Sequence, residues 1–191
     1  QQGNYSHLLN LLLAEEMGHA LRTNNLAAIK GIAADHNLTG LIAEGLWNEP
    51  LPEYREGWVY GGLAAVLYLR QRKQYERALD ILQTLGTSLA NSQMKNRQVV
   101  VEANRITILS LQGRDAEAMQ ALGELFARVG IQCAMRSVFD EAPGFGDVML
   151  RSHRDDHINL PDPYLDHYSD VLQPPQTITA VKPEQLTNTE Q

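Results

Sequence analysis

The chain has 191 residues, is 43% hydrophobic and carries a formal net charge of -7 with a pI near 5.3. That length supports a substantial core in one domain, or one domain with a tail, and the acidic balance argues against direct nucleic-acid binding. A single cysteine, Cys133, excludes an internal disulfide framework; with no charged-then-apolar leader and no apolar run of about 18 residues, neither secretion nor membrane spanning is indicated, so a cytoplasmic location is expected.

Leu and Ala dominate before residue 140 while Pro and β-branched residues are sparse, so the expected fold class is all-α. Residues 8–21 read as a first helix with Leu8, Leu9, Leu12, Leu13 and Met17 on one side. Asn24 or Asn25 caps a second helix through Ala28, Ile29, Ile32 and Ala33. Gly40, Gly45, Pro50 and Pro52 make residues 38–51 an irregular segment. Pro52, with Glu53 and Glu56 in a positive first turn, opens a long helix to about Arg72, whose inner side carries Trp58, Gly62, Ala65, Val66 and Leu69. Its partner carries Tyr75, Ala78, Leu79, Leu82 and Leu85.

Residues 96–130 give the clearest pattern, two antiparallel helices and one tight turn. Val99, Val100, Ala103, Ile106, Leu109 and Leu111 stripe the first, and Ala118, Leu122, Leu125 and Phe126 stripe the second. Gly113 sits where a helix end needs positive φ, and Gly130 closes the pair. Residues 25–32, 75–82 and 115–122 each place a small residue (Ala28, Ala78, Ala118) ahead of an aliphatic one four positions on. Their spacing of roughly 40 to 50 residues is the signature of a tetratricopeptide-like helical-hairpin solenoid, with a non-repeating bundle as the alternative. A short helix is expected around residues 147–152 and a last one around 163–172. From Gln173 on, Pro174, Pro175, Thr177, Thr179 and Pro183 read as a linker. The domain division is therefore 1–172 and 173–191.

Gly113-Arg114-Asp115-Ala116-Glu117-Ala118, then Gly130, then Val138-Phe139-Asp140-Glu141, resembles the C-terminal end of the helical sensor domain of MalT-like regulators, the large ATP-binding members of the LuxR family of transcription activators. Pro52, Glu53, Arg55 and Glu56 resemble the entry to that family's penultimate hairpin, and Ala142-Pro143 replaces the glycine that often follows the acidic pair. The stretch Leu186-Thr187-Asn188-Thr189-Glu190-Gln191 resembles the opening of a LuxR-type helix-turn-helix, with Thr189 where arginine is common. The resemblance, over about residues 50–172, implies a sensor and protein-interaction domain. Effector binding to it would bias ATP-dependent self-association and promoter binding by other domains. ATP and DNA contacts are then expected in the full-length protein and no cofactor in this part, which has no Gly-x-x-x-x-Gly-Lys-Ser/Thr loop and only Lys182 as a base beyond residue 154.

In a tetratricopeptide register, Tyr60, Leu63, Leu67 and Arg70 line a groove from one hairpin, and Ala103, Asn104, Thr107 and Ser110 from the next. Tyr60, Leu63, Leu67, Arg70, Asn104 and Thr107 are the expected contacts for a small inducer or a short peptide. A plain adaptor that binds a protein without an inducer is the alternative. His153-Arg154-Asp155-Asp156-His157 puts two imidazoles four apart, and Asp162, Asp166 or His167 could add a ligand. The segment reads as a solvated loop, so no metal site and no catalytic residue is expected.

Overall fold

In the computed structural model the described residues are 2–90, 92–130 and 136–160, with side chains described from residue 8 on. They form an all-helical structure of nine helices. The expected helix at 163–172, the linker, the Leu186–Gln191 motif, Cys133 and the extra ligand candidates Asp162, Asp166 and His167 lie outside them.

Helix α1 spans Gln2–Arg22, α2 Leu26–Asp35, α3 Leu38–Ala43, α4 Glu56–Gln71, α5 Tyr75–Leu89, α6 Lys95–Leu111, α7 Asp115–Val129, α8 Arg136–Glu141 and α9 Phe145–Arg154. Three pairs, α1/α2, α4/α5 and α6/α7, are hairpins joined by three residues, and all three turns are built alike. A residue with positive φ stands in each, Asn24 (50°), Lys73 (56°) and Gly113 (76°). The next residue donates its backbone N–H five positions back, from Asn25 to Ala20 (2.8 Å), Gln74 to Leu69 (2.9 Å) and Arg114 to Leu109 (3.0 Å). This six-residue closure satisfies carbonyls that the helix end leaves over. Asn25 then caps α2 by accepting from the Ala28 N–H at 3.0 Å, as its residue type leads one to expect.

Helix α4 is the centre. It packs against α1 on one side and α5 on the other, and Val59 to Leu67 and Leu69 are all buried. The stripe of Gly62, Ala65, Val66 and Leu69 is therefore only part of its buried surface. The α5 stripe of Ala78, Leu82 and Leu85 and the α7 stripe of Ala118, Leu122 and Leu125 are buried as periodicity requires.

Three local expectations are corrected. Residues 38–43 form the short helix α3 rather than an irregular segment, starting after left-handed Asn37. Helix α4 begins at Glu56, not at Pro52. Leu51 is tied to α5 through its N–H, which donates to Ser88 Oγ at 2.9 Å, and Arg55 is extended. On α1, Leu8, Leu9 and Leu12 are 52%, 54% and 56% exposed, whereas Leu13 and Met17 are buried with Ala14 and Ala20. The inward stripe of α1, which packs on α4, is thus rotated to Leu13, Ala14, Met17 and Ala20 and away from the Leu8, Leu9 and Leu12 run. Leu13→Ala is expected to cost about 2–5 kcal/mol by denaturant unfolding, while the neighbouring Leu12→Ala stays within about 0.5 kcal/mol.

Candidate functional site

The expected groove is filled by the chain itself. Tyr60, Leu63, Leu67, Asn104 and Thr107 are buried, and so is most of Arg70. Helices α1 and α5 enclose the α4 residues, and the segment 136–160 meets Arg70, Asn104 and Thr107, with α8 packed on α1 and α6, and α9 on α6. Phe139, Ala142, Phe145 and Met149 from this segment are buried in the common core, and the Phe139 and Phe145 rings stack at 6.1 Å.

The seam beneath residues 140–143 is polar. The first helix of each hairpin contributes to it: Arg22 of α1 donates to the Asp140 carbonyl, Arg70 of α4 to the Pro143 carbonyl, and Arg97 of α6 to the Glu141 carboxylate. Asn104 of α6 adds its side-chain N–H₂ to the Glu141 carbonyl at 3.0 Å and to the Val100 carbonyl at 3.0 Å, and its Oδ1 is buried without a partner. Thr107 donates its hydroxyl to the Ala103 carbonyl at 2.7 Å. The polar groups expected to receive an inducer are therefore largely engaged within the chain. Gly144 (φ 88°) lets the backbone pass this seam, since a Cβ there would lie 3.3 Å from Arg70 Nη2.

Arg97 also lies 4.9 Å above the Tyr60 ring, a cation–π contact. Burial pushes the Glu141 carboxyl above the usual range, and the pull of Arg97 does not fully offset it. Burial likewise lowers Arg70 and, with the charge of Glu56, pushes the Tyr54 phenol up to about 12; the Tyr54 hydroxyl is buried without a hydrogen-bond partner. Sequence reasoning missed Arg22, Arg97 and Glu141 as a set. The acidic pair was visible, but nothing local ties residues 140–143 to arginines 118, 73 and 44 residues away.

The His153/His157 pair is split. Helix α9 ends at Arg154, Asp156 is left-handed, and the Leu160 N–H donates to His153 Nδ1 at 3.2 Å. The first imidazole thus staples the turn. Arg151 of α9 donates to Ser110, and Arg105 forks onto Glu102 at 3.0 and 3.1 Å as a local helix pair.

A separate cavity of about 550 Å³ opens between α1, α3 and the start of α4. Leu13, Leu38, Leu41, Trp47 and Trp58 wall it, and Asn10, Arg55 and Glu56 stand at its polar edge. Both indoles are tied to backbone: Trp47 Nε1 donates to the Trp58 carbonyl at 3.0 Å and Trp58 Nε1 to the Leu46 carbonyl at 3.0 Å. Asn10 donates to the Gly57 carbonyl at 3.0 Å. Gly61 leaves room for Trp47, whose Cζ2 would lie 3.1 Å from a Cβ there.

Two outcomes are expected from the seam. Arg97→Ala leaves a buried carboxylate unpaired and costs about 3–5 kcal/mol in chemical denaturation. Because the folded Glu141 pKa is raised, its contribution is fully present below the unfolded value of about 4.3 and is lost as pH rises through the folded value. Glu141→Gln should flatten that fall in a series of denaturation midpoints against pH; an unchanged slope would refute the assignment. No protein-family model, curated protein or solved structure matches this chain.

Proposed function

We propose that this chain is a signal-sensing and protein-interaction domain of a MalT-like, LuxR-family regulator, built as a tetratricopeptide-like stack of helical hairpins. The like turns at Asn24, Lys73 and Gly113 support the stacked-repeat reading. The observation that carries the functional reading is the convergence of Arg22, Arg70 and Arg97, one from each hairpin, on residues 140–143. Those residues include the Asp140-Glu141 pair on which the family resemblance rests.

In this reading the anchors are the transmission. A shift in the spacing of the hairpins moves the three arginines relative to one another, and the C-terminal segment they hold must follow. An effector that favours one spacing then biases the DNA reader and the ATP-dependent self-association expected of other domains, by its differential affinity for the two arrangements. The adaptor reading has its own support in the exposed Leu8, Leu9 and Leu12 stripe, which offers a protein partner an apolar contact.

The coding frame beyond Gln191 tests the first reading. A helix-turn-helix with a Lys/Arg-bearing recognition helix is expected, and a stop codon would overturn it. In that longer protein, Arg22→Ala with Arg70→Ala should leave effector affinity within about twofold while the effector's influence on DNA binding drops from about 5–150-fold toward none, measured by fluorescence anisotropy on promoter DNA.

A further inference from the structure

We infer that the cavity between α1, α3 and the start of α4 is a binding site for a small, uncharged, ring-bearing molecule. This goes beyond the regulator reading and stands without it. At about 550 Å³ the cavity lies in the size range of small-ligand sites. Its walls are apolar, two indoles and three leucines with a fourth, Leu46, at the edge, a surface that favours a planar ring in offset or edge contact.

The charge of the occupant follows from what the walls leave available. Both indole N–H groups donate to backbone carbonyls, as does the Asn10 amide at the edge to Gly57, so the walls of the interior present mainly carbon. Arg55 and Glu56 are neighbours in sequence on the rim, one of each sign, so the rim carries no formal net charge from them. The chain as a whole carries -7, which works against an anion. A charged group inside would lose its hydration with nothing to replace it. A neutral ring with one polar end, directed at the rim, fits all four conditions.

Trp47 and Trp58 are the two tryptophans of the chain and both line this cavity, so tryptophan emission reports on it. Trp47 also borders a neighbouring cavity with Ile81 and Thr84, and variants at Leu41 or Leu46, which line only the first, tell the two apart. The probes are 4-nitrobenzyl alcohol, neutral, and 4-nitrobenzoate, its anionic counterpart; nitroaromatic rings quench indole emission on contact. Saturable quenching by the alcohol is expected, with the benzoate at least about tenfold weaker. Leu41→Arg, which puts a charge in the wall, should abolish saturation. Should that variant not fold by circular dichroism, Leu46→Glu decides, since Leu46 is half-exposed at the edge and tolerates a polar side chain. Quenching that rises linearly without saturating, equal affinity for alcohol and benzoate, or saturation unaltered in a folded variant would each overturn the assignment.

Discussion

Helix α4 has almost no solvent side, and the rest of the chain is arranged to satisfy that constraint. Its run from Val59 to Leu69 is nearly continuous apolar and small residues, and a helix that is apolar all round must be enclosed on all sides. One hairpin encloses it with α5, α1 lies against it from the chain's beginning, and its arginine end meets residues 140–143. The glycines at 61 and 62 bring neighbours in further: a Cβ at Gly62 would stand 2.8 Å from Leu85 Cδ2 and 3.0 Å from Trp47 Cδ1. Close approach raises dispersion contact and excludes water from the helix surface.

Packing of the C-terminal segment against α1 and α6 changes where a ligand can act. Phe145 and Met149 are fully buried, so lifting residues 136–160 away would expose a large apolar area, at about 1.5–3 kcal/mol for each such side chain. The segment is therefore an integral part of the fold and not a loosely held flap. Arginine suits the seam because it stays charged when buried and its fork donates to carbonyls and carboxylate alike. The seam joins three hairpins that are distant in sequence at one short peptide, while the tryptophan-lined cavity lies apart, at the junction of α1, α3 and α4.

Much of the secondary structure was legible from local signals. Gly113 announced a positive-φ turn, Asn25 a cap, and the stripes of α5, α6 and α7 most of their buried faces, because each depends on residues within one or two turns of helix. Leu111, expected in the α6 stripe, is instead exposed at the helix end. The seam and the cavity were not legible. Tyr60, Arg70, Asn104 and Thr107 look alike from sequence whether they face solvent, a ligand or another part of the chain, and the choice among these depends on residues some 40 to 80 positions away.

The sequence by itself determined that the described chain is helical, where its hairpins turn and which stripes of α5 and α7 are inward, since periodicity and turn chemistry act over short range. Only the tertiary structure decided that Leu8, Leu9 and Leu12 stay outside while Leu13 goes in, that Arg22, Arg70 and Arg97 converge on residues 140–143, and that two tryptophans frame a cavity. Those outcomes rest on which helices meet and at what distance, and that is set by the volume and charge of partners far along the chain.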